Sequence, residues 1–382
     1  MKNYTLSKQE VTIQPVTTKK ALKAFIKLPS KIHQKHNNWV PPIYMDERVF
    51  FNSGKNEAFQ YCDTILLLAF RGKDIVGRIM GIINHKYNEP HGLKEARFAF
   101  FECYDEAEAA NRLIAAVEDW AKANHMDSLV GPLGFSDKDP QGFLVEGFDE
   151  PITIACNCNF PYMVKHLTRL NFNKKTDLVV YKLEIPPEIP EFYQRIYERA
   201  LQKHKNLRVV HFTSRRQMKK YVRPVLELVN ETFKDIYAFN PLSEKEMDEF
   251  ANRYIFLLDP RFLKVVENEM GEVVAFILGM ADISSGIQKC KGYLLPFGII
   301  QLFRAKRNTD QLNLLLGGIK ETYRNNGMDS LLGVSLLKSA WEKGMKTIDS
   351  HLELESNTKM RAEMEKMGGC VYKRYRIFQK SI

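Results

Sequence analysis

Apolar and polar positions along the chain run through the same cycle twice. Residues Ile65–Asn84 alternate around a polar turn, Arg71-Gly72-Lys73-Asp74, and continue through Ile75-Val76-Gly77-Arg78-Ile79-Met80-Gly81, which predicts a β-hairpin. Leu263–Asp282 predicts a second hairpin around Glu269-Met270-Gly271-Glu272, at an offset of 198 residues. A helix feeding a strand at Ala121…Leu129 recurs at Ala340…Ile348, at an offset of 219. Each half then closes with a helix and basic-aromatic strands, Tyr162–Leu183 and Thr358–Phe378. The offset changes because the second half carries extra residues in Ile283–Asn308, and the first half a comparable excess in Gly131–Ile154. Three matches in one order predict two copies of a single α/β unit.

The boundary falls near Glu184-Ile185-Pro186-Pro187-Glu188-Ile189-Pro190, because proline continues neither a central strand nor a helix. This gives domains at 1–187 and 188–382, as expected for a chain of 382 residues. No apolar run approaches the roughly 18 residues of a membrane span. The segment MKNYTLSKQEVTIQ lacks the apolar core of a signal peptide. The expectation is a cytoplasmic protein with no membrane partner. Six scattered cysteines predict reduced, mostly buried thiols, and Cys156-Asn157-Cys158 is too tight for a zinc knuckle, so no metal is expected.

Charge separates the halves. The net charge is +10, of which residues 1–188 contribute +1 and residues 189–382 contribute +9. A basic second half suits a phosphorylated ligand or RNA, although solvated basic helices would give the same count.

That half also holds the strongest local motif. The apolar run Leu312–Ile319 predicts a strand; Tyr323-Arg324-Asn325-Asn326-Gly327-Met328-Asp329-Ser330 then opens a helical pattern that lasts to about Lys343. Strand, glycine-bearing loop and helix N-terminus converge free N–H groups and the positive end of a helix dipole on one point, where a phosphate can bind. An ordinary turn in which Asn-Gly supplies positive φ would read the same way. Downstream, Thr347–Ser356 alternates and would place Asp349, His351, Glu353 and Glu355 on one face, lining either a wet cleft or a solvated edge. A second helix begins at Asn357 and ends at Met367-Gly368-Gly369.

With these residues in place, the second half resembles the GNAT superfamily of acetyltransferases. The family's Arg/Gln-x-x-Gly-x-Gly/Ala loop is met by Arg324 and Gly327, with Asp329 at the last place and Ile319 five residues before the arginine. Asn357 and Gly368 match its strand-end Asn and helix-closing Gly. More narrowly, the chain resembles bacterial tandem-GNAT proteins. The likeness lies in Asn38-Trp39-Val40-Pro41-Pro42, Phe100-Phe101-Glu102-Cys103, Gly131-Pro132-Leu133-Gly134-Phe135-Ser136, Gly147-Phe148-Asp149-Glu150-Pro151, Leu295-Pro296-Phe297-Gly298 and Val371-Tyr372-Lys373-Arg374-Tyr375-Arg376. It covers nearly the whole chain and implies a mixed α/β sheet in two tandem GNAT-like acyl-CoA N-acyltransferase domains.

The resemblance implies acetyl-CoA or another acyl-CoA as cofactor. Its pyrophosphate would be held by Arg324, Asn325, Asn326, Gly327, Met328, Asp329 and Ser330, its pantetheine by the backbone at Leu315 and Leu316, with Asn357 nearby. Glu355, Glu353 and His351 are the candidate general bases for attack of an amine on the thioester. Two departures stand out. Asp329 sets a carboxylate beside an expected pyrophosphate, and Met364 replaces a tyrosine that in many of these enzymes protonates the leaving thiolate. In the first half the corresponding loop, Tyr104-Asp105-Glu106-Ala107-Glu108-Ala109-Ala110, has three carboxylates and no glycine, which predicts loss of CoA binding there. The acceptor is expected to be a small-molecule amine. Transfer from aminoacyl-tRNA, as in Fem-type enzymes, and a non-catalytic ligand-binding role remain alternatives.

Overall fold

The computed structural model describes residues 9–203, 205–324 and 326–382. The chain forms two compact units: residues up to Val179 with Ile287–Gln301 and Lys373–Ile382, and Val180–Gly286 with Leu302–Tyr372.

The first unit opens with β1 (Val11–Pro15), α1 (Lys19–Lys27), α2 (Pro29–Ile32) and α3 (Tyr44–Phe50). It continues through β2 (Cys62–Arg71), β3 (Asp74–Asn84), α4 (His85–His91), β4 (Glu95–Cys103), α5 (Ala107–Ala123), β5 (Ser128–Gly131), β6 (Phe143–Glu146) and α6 (Pro161–Arg169). Strand β7 (Asn173–Glu184) carries the chain into the second unit. There follow α7 (Glu191–Lys203), β8 (Arg208–Val210), α8 (Arg215–Thr232), α9 (Glu244–Tyr254), β9 (Leu263–Glu267) and β10 (Val273–Ala281). Next come α10 (Ser284–Lys289), α11 (Gly298–Asn308), β11 (Gln311–Ile319), α12 (Met328–Glu342), β12 (Thr347–Asp349), β13 (Glu353–Leu354), α13 (Thr358–Lys366) and β14 (Cys370–Ser381).

Both units use one pairing scheme. In the first, β1, β2, β3 and β4 are antiparallel neighbours, β4 pairs parallel with β5, and β5 pairs antiparallel with residues 378–381 of β14. In the second, β8 to β11 are antiparallel, β11 pairs parallel with β12, and β12 pairs antiparallel with residues 182–184 of β7. The closing strand of each unit therefore comes from the other half of the sequence. The division between 187 and 188 remains the proposed limit of the tandem repeat; the compact units are a second, interleaved partition.

The helices follow the apolar periodicity. α5 buries Ala109, Ala110, Leu113, Val117 and Ala121 in one core with Ile79, Phe98 and Leu129. In the second unit Met328, Leu331 and Leu332 of α12 pack with Ala200, Val266, Val274 and Ala275. Spacings of three and four residues put these side chains on one stripe of each helix.

Two expectations need correction. The alternation predicted over Thr347–Ser356 is not one strand: β12 ends at Asp349, His351 takes φ 59°, and only Glu353–Leu354 returns to extended pairing. The interruption has a local cause, since the His351 N–H donates to Asp349 Oδ1 at 2.7 Å and pulls the backbone into a turn. The thiols are all free, but they are not mostly buried: Cys62 and Cys103 are, Cys156, Cys158 and Cys290 are half-buried, and Cys370 is exposed.

Candidate functional site

The site is built where β11 and β12 part. Their parallel ladder has three pairs, Gln311–Thr347, Leu312–Ile348 and Asn313–Asp349. Beyond it the chain stays on β7, with Ser350 N–H donating to Tyr181 O at 2.9 Å, while Leu314–Leu316 have no place in the β11–β12 ladder. On the other side β11 stays paired to β10 but bulges. Leu278 faces Leu316 and Gly279 faces Leu314, which makes Leu315 the extra residue. A bulge opposite an abrupt end of pairing forces two neighbouring strands to splay, and backbone amides at the split can bind an extended ligand. Leu314, Leu315 and Leu316 are half-buried there.

The loop at the far end of β11 supports the phosphate reading physically. Gly327 is the N-cap of α12 at φ 80°, and no side chain caps the helix. The first-turn N–H groups of this 15-residue helix thus lack the usual Ser, Thr, Asp or Asn acceptor. Only glycine suits the place: the φ is left-handed, and a Cβ would lie 3.2 Å from that of Ala200 on α7. Met328 is buried in the core, so only its backbone can meet a ligand. Arg324 is exposed, with Nε donating to Ile319 O at 3.1 Å. Asp329 is exposed and Ser330 half-buried. Asn325 lies outside the described residues. Lys203, which the sequence did not single out, donates from Nζ to Asn326 Oδ1 at 2.9 Å and brings a cation to the loop from α7. No local motif could have flagged it, because it stands 123 residues away.

Around the split, polar groups are more ordered than the sequence implied. Asn313 and Asp349 are buried. Asp349 accepts from the Tyr372 hydroxyl as well as from the His351 N–H. Asn313 Nδ2 donates to Asp282 Oδ1 at 3.1 Å, and Gln311 Nε2 to Asn313 Oδ1 at 2.8 Å. Tyr372, read from sequence as part of a closing strand, is thereby a phenol fixed at the branch point.

Of the candidate bases, Glu353 has the most suitable environment. It is half-buried, and burial pushes its carboxyl up to about 7, against the opposing pull of His351 and of a hydrogen bond from Asn357. Asn357 Nδ2 lies 3.5 Å from Glu353 Oε2, while its Oδ1 accepts from Met360 N–H as the cap of α13. Glu355 is half-buried, and its backbone carbonyl accepts from Arg361 at 3.1 Å. His351 is half-buried at its turn. The structure thus brings His351, Glu353 and Asn357 together in one loop. Met364 is buried and offers no proton.

The equivalent place in the first unit is filled. Arg71 bonds Glu106 Oε2 at 2.9 Å and Glu108 Oε2 at 3.0 Å, and Glu108 Oε1 accepts from Val11 N–H at 3.1 Å. Carboxylates and an arginine thus crowd the N-terminus of α5. Its strand split is also closed, because Leu133 N–H donates to Phe98 O at 2.9 Å and a Cβ on Gly131 would fall 2.3 Å from that oxygen.

The first unit has buried chemistry of its own. Arg78 Nη2 stands 3.3 Å from Glu102 Oε2, and burial raises the Glu102 carboxyl while Arg78 opposes it. Burial pushes Glu47 up to about 7 and His33 down to about 3. His33 Nδ1 and His36 Nδ1 lie 3.0 Å apart, and with Cys158 Sγ they form a donor set that could hold a soft cation. A neutral histidine pair sharing one hydrogen bond gives the same contact. A cavity of about 330 Å³ elsewhere, lined by Lys205, Arg208, Glu267 and Asn268, touches none of the candidate site residues.

No protein-family model matches the chain. It is 28% identical over 380 residues to a protein of Caulobacter vibrioides described as a bacterial ceramide synthase, covering 98% of each. It is 25% identical over 381 residues to the Escherichia coli protein YghO, covering 97% of this chain and 95% of that one. Among solved structures, a tandem GNAT protein from the clavulanic acid biosynthesis pathway aligns over 97% of this chain and 98% of its own, with a TM-score of 0.54 and 10% identity. The fold is a mixed α/β tandem GNAT fold.

Proposed function

We propose that this protein is an acyl-CoA-dependent N-acyltransferase whose acyl donor binds the second unit and whose acceptor is the primary amine of a long-chain amino alcohol. The carrying observation is the contrast between the two helix N-termini: neither has a side-chain cap, but that of α5 is crowded by Glu106 and Glu108 tied to Arg71, whereas that of α12 begins at Gly327 with Lys203 reaching the loop beside it. The full-length likeness to a ceramide synthase supports the acceptor class, since a ceramide is an amide of a fatty acid with such an amine.

An acyl-CoA supplies an acyl group already activated as a thioester. The first-turn N–H groups of α12, with Lys203 and Arg324, would hold its pyrophosphate. Backbone N–H groups at the bulged Leu314–Leu316 would bind the pantetheine and polarise the acyl carbonyl. Glu353, poised near neutrality, would take a proton from the attacking amine as the new C–N bond forms. The C–S bond breaks, and Tyr372, held on Asp349, would return a proton to the leaving thiolate in place of the residue that Met364 cannot provide.

The test is incubation of the purified chain with acyl-CoA of graded length and a long-chain amino alcohol, following free thiol and the amide product by mass spectrometry. Stoichiometric amide and thiol support the proposal. Saturable acyl-CoA binding without amide at any chain length would leave a binding protein and sink the enzymatic reading.

A further inference from the structure

Two long stretches of the sequence lack acidic residues altogether. Residues 11–45 hold six lysines and no Asp or Glu; residues 283–309 hold five Lys or Arg and no Asp or Glu. Far apart in sequence, the first stretch and residues 287–301 of the second, which carry Lys289 and Lys291, meet within the first unit. Tyr44 N–H donates to Gly292 O at 3.1 Å, and Gln288 Nε2 donates to both Asn37 O and Trp39 O at 3.0 Å. Lys27 Nζ donates to the Tyr293 hydroxyl at 2.5 Å and lies over the Tyr44 ring. Burial lowers the Lys27 pKa, and the nearby Arg48 and Lys23 push it the same way, so cations are crowded at this junction.

Large apolar side chains project from the same place. Leu295 is 68% exposed, Phe297 72%, Tyr293 50% and Ile300 43%. Met45, beside Tyr44, is 49% exposed, and the Tyr44 ring packs 4.9 Å from that of Tyr293. Lys289 and Lys291 flank the group and are exposed. The carboxylates on the adjoining α3 are Asp46 and Glu47, and Glu47 turns inward with a fully enclosed Oε2.

We propose that this apolar tip, Tyr293, Leu295, Phe297 and Ile300 with Met45, docks onto an anionic lipid bilayer, with the surrounding lysines contacting its headgroups. Exposed aliphatic and aromatic groups ringed by long cationic side chains match the bilayer boundary: the tips enter the acyl region while the amines reach the phosphates. Nucleic acid would satisfy the cations and the Tyr293 and Phe297 rings, but it leaves Leu295, Ile300 and Met45 without an apolar partner, which a bilayer supplies. No helix among the described residues is long and apolar enough to cross a membrane, so the contact is peripheral. The inference stands on exposure and charge alone and does not depend on the acyl-CoA reading.

The test is flotation of the full chain with vesicles of phosphatidylglycerol and phosphatidylethanolamine, compared with pure phosphatidylcholine. Co-flotation on the anionic vesicles is expected, weakened by salt and reduced at least about tenfold by the double change Leu295→Ser, Phe297→Ser. Lys289→Gln with Lys291→Gln should weaken binding to anionic but not to neutral vesicles. An independent reading is the emission of Leu295→Trp, which should shift to the blue and be quenched by brominated lipid. Absence of flotation on anionic vesicles, or no blue shift from that tryptophan, overturns the proposal. So does a self-association in light scattering that disappears with Leu295→Ser, Phe297→Ser while the vesicles bind nothing.

Discussion

The Tyr372 hydroxyl donates a hydrogen bond to the buried carboxylate of Asp349 at the last paired position before β11 and β12 separate. Removing that hydroxyl leaves a buried acceptor short of one donor. Tyr372→Phe should therefore cost on the order of 1–3 kcal/mol in chemical denaturation. On the proposed mechanism it should also lower kcat by about 100-fold with little change in KM for the acyl donor. A stability loss with unchanged kcat would make the phenol purely structural.

Glu353 gives a pH signature. Its carboxyl is raised to about 7, and the base form exists only above that value. kcat/KM should rise with pH up to about 7 and then level off, and Glu353→Gln should remove this limb along with most of the activity. Stability moves the other way. Because the native carboxyl binds its proton more tightly than the unfolded one, its stabilising contribution is complete below the ordinary Glu value and is lost as pH rises through about 7. Denaturation at pH 5 and pH 8 should show Glu353→Gln losing less stability across that interval than the parent, by on the order of 1–3 kcal/mol. Parallel curves would show that this carboxyl titrates normally.

Gly327→Ala should be costly twice over. The left-handed φ of 80° penalises any Cβ, and the new methyl would press on Ala200 at 3.2 Å. A loss of about 1–2 kcal/mol is expected, seen as a lower Tm, together with weaker acyl-CoA binding. An unchanged Tm would mean that the loop can relax without strain.

Asp329→Ala should separate binding from stability. The carboxylate sits in the first turn of α12, where it favours the helix and opposes a pyrophosphate. The variant should lose about 0.3–1 kcal/mol of stability and bind CoA several-fold more tightly in calorimetry. Weaker binding would show that Asp329 turns toward the ligand for a favourable contact.

The repeated α/β unit, both hairpins, the strand at Leu312–Ile319 and the helix after Gly327 were legible because they depend on local periodicity and on one glycine. The carboxylates at the N-terminus of α5 were legible in Glu106 and Glu108 as well, although Arg71, which binds them, comes from a strand 35 residues earlier. What sequence could not deliver was set by distant partners. The turn at His351 depends on which atom Asp349 accepts from, and Tyr372 and Lys203 reach their places only through tertiary packing. The exchange of β7 and β14 between units is equally silent, because a strand's alternation does not name its neighbour.

The most direct test of the central claim is amide hydrogen exchange with and without saturating acyl-CoA. The account predicts new protection at Gly327–Leu331 and at Leu314–Leu316, with none at Ala107–Ala110 of the first unit. Protection confined to α5, or no change at the N-terminus of α12, would contradict it.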